Sequence, residues 1–170
     1  SRTSGLDITK DIDKIVEESV HFDVFINNAF DGPPDTDWAN YAQTNLLMAV
    51  YKRWKELGKT GWIFNIGSVG EKSIVAPYPE FETYRVSKAA LSHASKQCTQ
   101  AFRQGLVLFR TTLITPDRLD TPLTQSRDNW TGNAISCQDI VKFIEWCINN
   151  QPNTVVEEVT LYVGLEYKNN

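Results

Sequence analysis

Apolar positions along the chain keep two different rhythms. Three short runs are apolar almost without a break: DVFIN (23–27), GWIFNIG (61–67) and GLVLFRTTLI (105–114). Runs of this kind predict strands buried on both faces, as in a parallel sheet. A fourth run, VVEEVTLYVG (155–164), alternates more and reads as a strand at a sheet edge. The segments between them repeat at helical spacing. DITKDIDKIVEESV carries Ile12, Ile15 and Val16 on one side, with Asp11 and Asp13 near its start. DWANYAQTNLLMAVYKRWKELGKTG aligns Ala42, Leu46, Val50 and Leu57, and Gly58 suits its C-terminal cap. A stretch rich in small residues runs from Tyr84 to Arg103, and CQDIVKFIEWCINN (137–150) stops before Gln151-Pro152. Strand and helix alternate throughout, which predicts an α/β fold whose parallel sheet is covered on both faces.

Composition narrows this picture. A chain of 170 residues, 41% hydrophobic and 22% charged, fits one globular domain over 1–170 with a real core. The net charge of −4 and pI near 5.2 exclude nucleic acid or an anionic membrane as main partner. No apolar run is long enough to span a membrane, and the polar start SRTSGLDITKD is no signal peptide. Cys98, Cys137 and Cys147 form neither a C-x-x-C nor a paired framework, so they read as buried thiols of a reducing, cytoplasmic protein. His21 and His93 are too few and too distant for a metal cluster.

The chemistry concentrates in FETYRVSKAAL (81–91), where Tyr84 and Lys88 stand four apart on one helix face. Spacing alone means little, because chance placement supplies roughly 0.6 Tyr-to-basic pairs in such a chain. Tyr51 and Lys55 in fact form a second pair. That one sits mid-helix among Lys52 and Arg53, follows no strand end, and reads as structural.

The neighbours of Tyr84 separate the two pairs. In order along the chain come LDIT, INNA, TNLL, NIGSVG, YRVSK and TPDRLDT. This series resembles the short-chain dehydrogenase/reductase family over nearly the whole chain. The resemblance implies a Rossmann-like doubly wound parallel sheet and an NAD(P)(H)-dependent oxidoreductase interconverting a small-molecule carbonyl and alcohol. Hydride transfer to a carbonyl leaves a developing alkoxide that needs a proton. A tyrosine, with a reference pKa of about 10, supplies it more readily when a lysine ammonium favours its phenolate. Tyr84 is then the general acid/base, and Lys88 its tuning cation and a ligand of the nicotinamide ribose. Ser68 donates to the substrate oxygen, and Asn45 is the helix asparagine that helps relay protons. By the same resemblance Asp7 and Ile8 meet the adenine, Asn27 and Ala29 its ribose, and Pro116, Leu119 and Thr121 the carboxamide and phosphate. The family also implies a homodimer or homotetramer, for which Ala89, Ala90, Ala94 and Ser95 allow close approach or, equally, packing onto the sheet.

The sequence departs from the family at three places. Phe30 replaces the glycine of N-N-A-G, and Asp117 that of P-G. The glycine-rich turn between first strand and first helix is absent, so the fold is expected N-terminally truncated, lacking first strand, first helix and second strand. SRTSGLDIT resembles the stretch after the second strand, where Arg2 would meet the 2′-phosphate of NADP, favouring NADP slightly over NAD. Either an upstream segment supplies the cofactor turn, or the protein is a non-catalytic binding or interaction module on this fold. The complete set of Asn45, Ser68, Tyr84 and Lys88 favours the first. An epimerase or dehydratase of the extended branch would need a further substrate domain. The loops DGPPDTD (31–37) and TPLTQSRDNWTGN (121–133), with Trp130, are the expected walls of a substrate pocket.

Overall fold

A computed structural model of the chain describes residues 5–29, 37–72, 82–126, 131–150 and 153–164, excluding the side chains of residues 37–40 and 123. Phe30, Arg2, Trp130 and most of the DGPPDTD loop lie outside the described residues. The sheet has four parallel strands in the order β1 (Val24–Asn27), β2 (Thr60–Ile66), β3 (Leu108–Pro116) and β4 (Glu158–Leu161). Each strand overlaps one of the four apolar runs, β2 starting one residue before its run and β3 ending two residues past its own, and the alternating fourth takes the edge beside β3. Among the described residues five α-helices accompany it: α1 (Ile12–Ser19), α2 (Asp37–Glu56), α3 (Glu82–Arg103), the short α4 (Pro122–Gln125) and α5 (Cys137–Asn150). None of the described helices is long and apolar enough to cross a membrane.

The near-continuous apolar strands follow from a sheet covered twice. Side chains alternate along a strand, so Ile63 and Phe109 enter one core with Val16, Leu47, Trp54 and Leu91 of α1, α2 and α3. Their sheet neighbours Trp62, Phe64 and Ile66 enter a second core with Ile140, Ile144 and Cys147 of α5. Each large side chain so buried stabilises the fold by about 1.5–3 kcal/mol. Trp54 is fully buried, gives its indole N–H to Ser19 Oγ (3.0 Å), and meets Phe109 edge-on at 5.5 Å. All three crossovers step the same way across the sheet, yet α5 occupies the face opposite α2 and α3. The last crossover therefore has the opposite hand to the first two, a departure from the near-universal rule.

Several expectations shift in detail. Leu57 is not part of the α2 stripe but half exposed, because Gly58 (φ +58°) closes the helix and Lys59 N–H turns back to the Trp54 carbonyl at 2.9 Å. Cys137 is exposed at the start of α5, its thiol against the Asp120 carbonyl, whereas Cys98 and Cys147 are buried. Ile26 of β1 is half exposed, although Val24, two residues earlier on the same face, packs against the second core. On α3, Ala94 and Ser95 pack inward while Ala89 faces out. Tyr51 packs edge-on against Phe109 at the core, whereas Lys55 is exposed, in keeping with a structural pair.

Candidate active site

Parallel strands end together. Asn27, Ile66 and Pro116 close β1, β2 and β3 at one rim of the sheet, and the turn that follows β2 packs against α3. There Lys88 is 5% exposed, and its Nζ donates to Gln43 Oε1 (2.7 Å) and to the Ile66 carbonyl (3.0 Å). Loss of water around this ammonium pulls it down to about 8, with the Glu71 carboxylate opposing the shift. The same Nζ stands 5.7 Å from the centre of the Tyr84 ring, one helical turn earlier.

Ser68 follows directly on β2. Its Oγ accepts the Gly70 N–H (3.1 Å), and its carbonyl accepts the Glu71 N–H (3.1 Å), so the short turn Val69–Lys72 fixes it locally. A Cβ added at Gly70 would stand 3.3 Å from Ser68 Oγ and 3.6 Å from Tyr84 Cε1. The hydroxyl and the phenol ring thus flank one gap, which only glycine at position 70 leaves open.

Asn45 does not join this group through its side chain. It is exposed on α2, and the buried partner of Lys88 is Gln43. Two residues along a helix turn by about 200°, so the two side chains leave opposite faces. Gln43 is 2% exposed and also donates Nε2 to the carbonyls of Asn27 (2.6 Å) and Ile66 (3.1 Å). Behind it, Asn27 Nδ2 donates to the Gln43 carbonyl and to Asn65 Oδ1, both at 2.9 Å, and Asn65 donates to Ser95 Oγ. This polar column ties β1, β2, α2 and α3 at the rim. Its sequence signal was a glutamine on the stripe shared with Leu47, Val50 and Trp54, positions that an amphipathic helix packed on a sheet gives to apolar residues.

The positions matched to cofactor contacts divide. A cavity of about 150 Å³ at the end of β1 is lined by Ile8, Phe25, Asn27, Asn28, Ala29 and Leu46, which brings Ile8, Asn27 and Ala29 together. Asn27 Oδ1 in that wall is buried without a hydrogen-bond partner among the described residues. Asp7 instead accepts from Thr9 N (2.8 Å) and Thr9 Oγ1 (2.6 Å), bonds that hold its carboxyl below the usual range. Pro116 is buried at the end of β3, and Leu119 pairs with Ile135 in an isolated bridge. Thr121 caps α4, its Oγ1 accepting the Thr124 N–H at 3.2 Å. Asp117, in the place of the family glycine, gives its backbone N–H to Leu161 (2.8 Å).

A charged cluster that the sequence did not disclose lies beside Ser68. Glu71 sits half-buried next to Ser92, and desolvation raises its pKa. Glu158 of β4 takes Lys72 Nζ at 2.6 Å and Lys96 Nζ at 2.8 Å; against the cost of burial, these partners hold its carboxyl down to about 2.

No protein-family model matches the chain, and no curated relative does. Solved structures do. A 4-hydroxyisoleucine dehydrogenase complexed with NADH is 25% identical, with a TM-score of 0.65 over 93% of this chain and 77% of its own. A short-chain dehydrogenase/reductase family protein gives a TM-score of 0.70 at 20% identity, over 92% of this chain and 72% of its own. ElxO with NADP bound gives 0.67 at 18% identity, over 93% and 74%.

Proposed function

We propose that this chain, built on the fold of the short-chain dehydrogenases/reductases, is part of an NAD(P)(H)-dependent oxidoreductase that interconverts a small-molecule carbonyl and alcohol. One observation carries the reading: a nearly buried lysine ammonium stands 5.7 Å from the Tyr84 ring, with Ser68 across the gap over Gly70. The similar structures with NADH or NADP bound support the cofactor class.

The residues fit a dinucleotide at the strand ends. The cavity beside Ile8, Asn28 and Ala29 and the unpartnered Asn27 Oδ1 suit its adenosine half, and Tyr84 with Lys88 suits its nicotinamide half. When bound, the dinucleotide supplies or removes the hydride. The rest is the work of side chains. Ser68 accepts from Gly70 and still has its own hydroxyl proton to give the carbonyl oxygen. Tyr84 delivers the proton that the developing alkoxide needs, and takes it back in the oxidative direction. Lys88, held in place by Gln43 and Ile66, keeps a positive charge by the phenol and favours its ionised form. Gln43 takes a place beside the lysine that the family pattern would leave to the surroundings of Asn45. We extend the proposal to a homo-oligomer in a reducing, cytoplasmic setting, in keeping with three free cysteines.

The test is Tyr84→Phe in the intact polypeptide. Turnover of a carbonyl, followed by NAD(P)H absorbance, is expected to vanish while nicotinamide fluorescence still reports cofactor binding. Unchanged turnover with bound cofactor would sink the mechanism. A second reading, a non-catalytic binding module, draws on Asp7 and Thr121, whose polar groups are already engaged in their own turns. It wins if calorimetry finds no NAD(P) binding to the intact polypeptide.

A further inference from the structure

Ser68 and Tyr84 lie on different elements, and local turn bonds alone do not set the distance between them. Lys88 and Asn65 already tie α3 to β2; the turn after Ser68 is tied to α3 by a carboxylate on a third element. Lys72 ends the turn that begins beside Ser68, and Lys96 lies on α3 eight residues beyond Lys88. Glu158, on the edge strand β4, gives one oxygen to each: Oε1 to Lys72 (2.6 Å) and Oε2 to Lys96 (2.8 Å). Lys72 Nζ also donates to Thr160 Oγ1 (2.5 Å), and Thr115 Oγ1 reaches Glu158 Oε1 at 3.5 Å, so β3 and β4 both anchor the bridge. With the Glu158 side chain 19% exposed, water screens the bridge less than it would a surface pair. Glu71, next to Ser92, keeps one carboxylate oxygen buried beside this bridge.

We infer that Glu158 is a positioning residue: by bridging Lys72 and Lys96 it sets the separation of the Ser68 hydroxyl from the Tyr84 phenol. The inference rests on the proposed function in that the two groups must meet one substrate. Its mechanical half can be read without turnover. In the intact polypeptide, Glu158→Gln is expected to speed amide exchange at Gly70 and Glu71 at least ~10-fold, with β2 amides unchanged. Equal acceleration through β2, or none in the turn, overturns it, since the first marks a merely structural ion pair and the second an idle one. Lys72→Met releases the turn from the same carboxylate and is expected to repeat the pattern, so it decides the matter if Glu158→Gln does not fold. In the carbonyl assay kcat of Glu158→Gln falls roughly 10-fold with KM held within about twofold, the mark of a misplaced reacting group rather than lost binding. An unchanged kcat in the folded variant overturns the positioning role. If the unsubstituted protein binds no dinucleotide, the proposed function fails, while the exchange data still judge the bridge.

Discussion

Replacing Lys88 by methionine removes a buried ammonium, and the consequence for stability depends on pH in a calculable way. In the fold the group titrates near 8, against 10.5 for a free lysine, because burial disfavours its charge. Between those values the unfolded chain holds a proton that the native protein has released. Stability therefore rises with pH across this window, is fully gained above 10.5, and is lost again as pH falls through 8. A difference of 2.5 pH units corresponds to about 3 kcal/mol. Other groups oppose it: burial pushes Cys98 up to about 12 and Cys147 up to about 11, and raises Tyr51. Those three are common to both proteins and cancel in the difference. Urea unfolding at pH 7.5, 9 and 10.5, followed by tryptophan fluorescence, should show the lysine protein gaining about 3 kcal/mol on Lys88→Met as pH rises. At pH 7.5 the methionine protein avoids the desolvation cost but leaves Gln43 Oε1 without the Lys88 donor, so the two should lie close. A difference that stays flat from pH 7.5 to 10.5 would refute the account of Lys88 as a desolvated cation.

Gln43→Leu takes an acceptor from Lys88 and a donor from the Asn27 and Ile66 carbonyls, and should cost about 2–4 kcal/mol in urea unfolding; a loss under 1 kcal/mol would mean that the polar column is not what holds the rim. Gly61→Ala places a Cβ 2.6 Å from the Asp23 carbonyl at φ +140°, so the Tm should drop by several degrees, and an unchanged Tm would show that β1 and β2 can part freely there. Trp54→Ala empties the helix-side core of a fully buried indole and should lose about 3–5 kcal/mol. Glu158, held down to about 2, stabilises the fold above the ordinary carboxylate pKa and loses that contribution as pH falls from about 4.5 through 2. Acid unfolding of Glu158→Gln should lack that component; identical acid profiles would argue against the bridge.

Four apolar runs and the helical stripes between them were enough to place the four strands and the helices α1, α2, α3 and α5 to within a few residues, whereas the short α4 falls in a stretch read as a loop. The reason is physical: a strand buried on both faces is mostly apolar, and a helix covering one face repeats its apolar positions every three to four residues. The order of motifs likewise placed Ser68 just past a strand end and Tyr84 with Lys88 on the helix that follows, because their elements are regular. Depth and partnership were not legible. Asn45 and Gln43 are near neighbours in sequence, and only the docking of α2 onto the sheet decided that Gln43 turns inward to Lys88. The inward turn of Asn27 toward Asn65 and the Thr9 contacts of Asp7 were likewise settled by packing and turn geometry. The face chosen by α5 is also a matter of packing, since no periodicity states the hand of a crossover. Lys72, Lys96 and Glu158 are separated by 24 and 62 positions along the chain, too far for any local pattern to join. Their bridge exists because β4 pairs with β3 and carries a carboxylate up to the helix and turn that hold the site.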